Sequence, residues 1–182
     1  MEHPTPNQVL SARVNEFTTA IKLLLDAGHT LPALIMLYAA IDILGSLLRL
    51  EWEPDTKGEY FKKWVDDYMI ADSRIAFTSE ELWSARCGLL HTHTASSKLS
   101  RQGKARQLHY FQAHGAPLPP AMQHAMKDAL AHGKLFVDVD ALCTVFTNGA
   151  QLFLAALQSD AALENRVLHH STHLFGVWTY VV

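Results

Sequence analysis

Apolar positions recur every three to four residues along most of the chain, the spacing that gives a helix one buried face. Over residues 7–28 that face is Val9, Val14, Phe17, Ile21, Leu24 and Leu25, and Gly28 supplies the stop. Thr30 is expected to cap a second helix with Pro32 in its first turn. There Leu34, Leu37, Tyr38, Ile41, Leu44 and Leu48 form one stripe, and Ile35, Met36, Ile43 and Leu47 fill the other faces. A helix apolar on every side is expected to be buried on every side, which puts this one at the centre of the fold. An acidic loop with Pro54 covers 51–58, and the aromatic stripe Tyr60, Phe61, Trp64, Val65, Tyr68 predicts a helix over 59–70. Thr78 and Glu81 have the spacing of a capping box, opening a helix that holds Leu82, Trp83, Leu89 and Leu90. It should end near His91, because the following residues are cap and turn formers.

The helical period is lost from 96 to 120. Residues 105–111 and 135–137 read as short strands on either side of a modest helix over 120–132, closed by Gly133. A long helix over 138–158 has Leu142, Val145, Phe146, Leu152, Phe153, Ala156 and Leu157 as its core face. Gly149 in its middle either weakens it or permits a close approach. Ser159 or Asp160 caps a last helix running to about Phe175. The fold class read from this pattern is all-α: an antiparallel helical bundle of four main helices plus one or two short ones, with a small two-stranded β insert around 105–111 and 134–137. A length of 182 residues suits one domain, 1–182, with a basic insert over about 96–134.

Composition narrows the class. The chain is 49% hydrophobic, enough for a real core, and only 18% charged, which points to surface covered in an oligomer. The 18 residues 31–48 approach the length of a spanning helix, but Asp42 near their middle opposes insertion by about 3 kcal/mol, so a core helix and no membrane span is expected. Cys87 and Cys143 match no zinc pattern, and Met1–Pro4 lacks the basic start of a signal peptide, so a reducing, cytoplasmic setting is expected.

Charge changes the picture more. No Asp or Glu occurs from Leu82 through Lys127, while Arg86, Lys98, Arg101, Lys104, Arg106 and Lys127 do; the stretch carries a formal +6 against −9 elsewhere. Cations interleaved with Tyr110, Phe111 and histidines suit a polyanion, phosphates meeting charge and bases meeting rings. A merely solvated basic loop gives the same composition. Arg86 and His91 lie five apart, about 140° around a helix, so they share no face unless the helix unwinds at Gly88 or two chains meet. Arg holds phosphate through paired donors and His moves protons near neutral pH, the two functions that phosphodiester cleavage needs. Asp42, the lone charge on an apolar helix, is the candidate partner for Arg86. His93 is a supporting candidate. His169, His170 and His173 have one metal-compatible spacing but no carboxylate beside them, and a histidine-bearing helix end accounts for them better. Cys87 beside Arg86 reads as a small core side chain. No metal site, cofactor loop or nucleophile elbow is evident.

A helical domain with Arg-x4-His at the end of a late helix, here Arg86 and His91, resembles the HEPN superfamily. The apolar helix LYAAIDILGSLL with its internal Asp42 is similar to that family's early helix. The resemblance implies an α-helical homodimer, with RNA or a nucleotide as ligand and an antitoxin-like protein as a further partner. It also implies metal-independent endoribonuclease activity of the toxin or defence type, without a cofactor. Arg86 and His91 would be catalytic, Asp42 and His93 supporting, and Lys98, Arg101, Lys104, Arg106 and Tyr110 would bind the nucleic acid. The family also holds non-catalytic RNA- and nucleotide-binding members, and Cys87 stands where active members carry a polar residue. A partner-binding helical protein with no nucleic-acid ligand is the third reading.

Overall fold

α2 (Thr30–Ser46) is the element around which the rest is placed, in contact with α1 (Pro6–Asp26), with α3 (Gly58–Trp64) and with two later helices. The computed structural model describes residues 6–70 and 76–171. The signal-peptide reading at Met1–Pro4, His173 and the expected end of the last helix at Phe175 lie outside them. After α3 come α4 (Ser79–Thr92), α5 (Lys98–Arg101), β1 (Gln107–Phe111), α6 (Pro120–Ala131), β2 (Lys134–Asp138), α7 (Val139–Ser159) and α8 (Ala161–Ser171). The described residues are therefore mostly helical with one small sheet.

The stripe read from the sequence of α2 is buried in full: Leu34, Leu37, Tyr38, Ile41, Leu44 and Leu48 are at most 3% exposed. Burial on every side does not hold. Leu31 is exposed, and Asp42 and Ile43 are half-buried, so one flank of α2 is left to line a cleft. Thr30 is the first helical residue and not the cap; His29 takes the cap position without a side-chain bond, and the Thr30 hydroxyl donates to Gln112 instead. Gly45 explains how α2 and α3 come so close: a Cβ there would lie 2.9 Å from the Tyr60 carbonyl oxygen.

The helix expected over 59–70 divides in two. α3 ends at Trp64 and Val65–Ile70 continues as a π-helix. Its widened turn brings the Tyr68 carbonyl to 2.7 Å from where a Cβ of Gly149 would stand, so Gly149 serves close packing of α7. Trp64, Tyr68, Phe146 and Phe153 make the aromatic cluster at that junction. On α7 Leu142, Phe146, Phe153 and Leu157 are buried as expected, while Leu152 is exposed and Val145 and Ala156 only partly covered. Among the described residues α7 is the one helix long and apolar enough to cross a membrane by length and composition; α2, at 17 residues, is shorter.

β1 and β2 pair in parallel, Gln107 opposite Lys134 through Phe111 opposite Asp138. Parallel neighbours need a crossover, and α6 supplies it, closed by Gly133 at φ +72°. Asp160, not Ser159, caps α8, accepting from the backbone N–H of Ala162 and Leu163.

Candidate functional site

α4 presents the residues singled out in the sequence, and both of its ends are fixed by local chemistry. At the start, the Thr78 hydroxyl accepts from the Glu81 N–H at 3.2 Å and the Glu81 carboxylate accepts from the Thr78 N–H at 2.9 Å, the expected capping box. At the end, His93 takes the left-handed conformation at φ 52° and the Thr94 N–H returns to the Gly88 carbonyl at 3.3 Å. A Cβ on Gly88 would stand 2.5 Å from the Thr94 oxygen. Gly88 therefore admits the returning chain and does not unwind the helix, which continues to Thr92.

Asp42, Arg86 and His91 come together within a single chain. Arg86 Nε donates to Asp42 Oδ2 at 2.6 Å, Nη2 lies 2.6 Å from the same oxygen, and Nη1 lies 3.2 Å from His91 Nε2. The expected 140° separation is spanned by the reach of the two long side chains, so their meeting needs neither an unwound helix nor a second chain. The guanidinium also lies over the Trp83 ring, 5.1 Å from its centroid. Asp42 and Arg86 are half-buried and His91 is exposed. Burial raises the Asp42 carboxyl above its ordinary range, against the opposing pull of Arg86 and His91. Of the five N–H donors of a guanidinium, three are directed to Asp42 and His91 and the Cys87 thiol lies against the same group, so a ligand oxygen can take what remains on the terminal nitrogens. An anion held there would be within reach of an imidazole open to solvent.

The same flank of α2 opens into a cleft of about 420 Å³ whose walls include Asp42, Ser46, Arg49, Lys57, Trp83 and Arg86. Arg49 and Lys57 were not foreseen. A signal existed: Asp42, Ser46 and Arg49 recur at i, i+4 and i+7, a polar stripe on an otherwise apolar helix.

The other predicted residues divide. Lys98, Arg101 and Lys104 are exposed on and just after α5, open to a polyanion. Arg106 is engaged elsewhere: it makes a two-pronged ion pair with buried Glu81 and donates to the Ala76 carbonyl at 2.6 Å. The Tyr110 hydroxyl is bonded to that of buried Tyr38, which ties the half-buried ring to the core. His93 lines a separate cleft with Leu89, Leu108 and Tyr110, away from the Asp42 side. Burial raises the Cys87 thiol despite Arg86 beside it, consistent with a small packed side chain. His170 is buried, its Nδ1 3.1 Å from Arg49 Nη2 and its Nε2 3.1 Å from the Arg49 carbonyl. The guanidinium can only donate and the carbonyl only accept, so His170 is neutral with the proton on Nε2. Burial and then Arg49 lower its titration. A cation favouring the helix end is thus not its role. Among the described residues no group of three or more metal-ligating side chains converges.

Searches against family models, curated proteins and solved structures return no match to this chain.

Proposed function

We propose that this chain is a HEPN-like protein that binds RNA and cleaves it without a metal ion. The working form would be an antiparallel helical bundle paired as a homodimer in the cytoplasm. The observation that carries the reading is the chain of contacts Asp42–Arg86–His91, which stands on an open cleft and ends on an exposed imidazole. Arg86 binds the scissile phosphate. As Arg86 Nη1 turns from His91 Nε2 to the phosphate, Nε2 takes the proton of the 2′-hydroxyl while the hydroxyl oxygen bonds to phosphorus. The bond to the 5′ oxygen breaks, that oxygen receives the proton back from the imidazolium, and a 2′,3′-cyclic phosphate and a 5′-hydroxyl result. Lys98, Arg101 and Lys104 guide the strand; Arg106 is left out, since its charge is paired with buried Glu81 and its Nη2 is held by Glu81 and the Ala76 carbonyl.

The Arg86 contacts also support a second reading. A guanidinium fixed by Asp42 on one side and Trp83 on the other suits a module that holds RNA, or a second chain, without cleaving. Incubation with mixed-sequence RNA, read both by mobility shift and by end-group analysis of products, separates the two. Cleavage is expected from the natural chain and none from His91→Ala, with the same thermal midpoint. Full cleavage by His91→Ala removes the mechanism; a shift without products selects the second reading.

A further inference from the structure

Arg49 differs from the other arginines at this face. Arg86 and Arg106 each have a carboxylate. Among the described residues no carboxylate pairs with Arg49; its side-chain partner is the neutral imidazole of His170, and its Nε is buried without an acceptor. Glu53, the acid whose titration senses Arg49, is itself held by Lys57 at 2.5 Å and by the Tyr60 hydroxyl. His170 grips the residue at two points, the guanidinium and its own carbonyl, and so fixes where the remaining N–H groups lie. Arg49 lines the cleft that Arg86 also lines, together with Ser46 and Thr56. Two guanidiniums on one cleft against a single acid, Asp42, which only Arg86 pairs with, describe a seat for more than one phosphate.

The loop after Arg49 adds a second feature. Trp52 is 77% exposed, the most exposed of the large apolar side chains among the described residues. It follows Arg49 by three residues, so their backbones are at most about 11 Å apart. An exposed indole close to paired cations is the combination that single-stranded nucleic acid uses, bases stacking while phosphates are neutralised.

We infer that the Asp42–Arg49–Arg86 cleft binds a single-stranded nucleic acid, with Arg49 on the phosphate next to the one at Arg86, Trp52 stacking a base, and His170 positioning Arg49. This rests on the reading of Arg86 as a phosphate-binding residue and extends the site to residues outside the Arg86–His91 pair.

The test uses the full chain and a fluorescent 2′-O-methyl oligoribonucleotide of mixed sequence, which blocks attack by the 2′ oxygen, over a range of salt. Arg49→Gln is expected to flatten the slope of log K against log salt by about 0.7, one phosphate contact on a single strand. Arg49→Lys keeps the slope, because the charge remains, but weakens binding, because the guanidinium contacts go. Trp52→Ala weakens binding at least about fivefold with the slope unchanged, and Trp52→Phe restores it. His170→Gln weakens binding at constant slope; a merely structural role would lower the thermal midpoint without moving affinity. An unchanged slope in Arg49→Gln, or no binding by the natural chain at low salt, overturns the inference. RNA cleavage by His91→Ala, run in parallel, keeps the two readings apart. Cleavage lost in His91→Ala with an unchanged Arg49→Gln slope leaves the nuclease and removes the second phosphate seat. Cleavage retained with a flattened slope does the reverse.

Discussion

α4 carries one member of each of two arginine–carboxylate pairs, and the two pairs are built differently. Near its first turn, Glu81 is 6% exposed and receives both Arg106 nitrogens and the Thr78 N–H. Burial works to raise that carboxyl, but the Arg106 and Thr78 hydrogen bonds outweigh it and hold it below the ordinary glutamate range. About a turn and a half on, at Arg86, Asp42 offers a single oxygen, and there burial prevails over the cation. The first pair has both carboxylate oxygens engaged, and it ties β1's approach to the start of α4. The second uses one carboxylate oxygen, stands on an open cleft and ends on an exposed histidine. A pair closed around a buried carboxylate is architectural; a pair on a solvent-facing cleft that ends on an exposed histidine is equipped to bind.

Removal of one partner gives the widest separation between them. Arg106→Ala strands a buried carboxylate that retains only its backbone donor, and should lower stability in urea by about 2–3 kcal/mol. Arg86→Ala should lower it by less than about 1 kcal/mol, since its acid partner stays partly solvated. Equal losses would erase the distinction.

A smaller effect, of opposite sign in the two pairs, comes with pH. Glu81 has a depressed folded-state pKa, so its stabilisation is present above the ordinary value of 4.5 and is lost as pH falls through the folded value. The advantage of the natural chain over Glu81→Gln should therefore shrink below pH 4.5. Asp42 has a raised folded-state pKa, so the folded chain binds that proton more tightly than the unfolded one. Relative to Asp42→Asn, the natural chain should gain stability as pH falls from above the raised value toward 3.8. Unfolding midpoints of the three proteins across that range check both signs.

Most elements were legible in the hydrophobic period, because a buried stripe must repeat with the helix. The Leu34–Leu48 stripe, the Thr78–Glu81 box and the two strands all follow from local pattern. What escaped depends on contacts between distant segments. Nothing near residues 65–70 announces a π-turn; its match is Gly149, on a helix more than seventy residues later. Glu81 could be read as a cap but not as the ion partner of Arg106, 25 residues on. Asp42 beside Arg86 was inferable from charge, since a lone acid in an apolar helix needs a cation and no acid follows Arg86 in the chain until Asp128. Arg49 was missed because it closes an apolar run where a terminal cation is unremarkable; its distinction, a neutral partner in place of a carboxylate, exists only once α8 delivers His170 to it.

The most direct measurement compares RNA cleavage by Arg86→Lys and by Arg106→Lys at matched folded fraction. Lys keeps the charge but not the planar fork, which the account assigns to phosphate at position 86 and to Glu81 at position 106. It predicts cleavage lost in Arg86→Lys and retained in Arg106→Lys. Equal retention, or loss in Arg106→Lys alone, would contradict it.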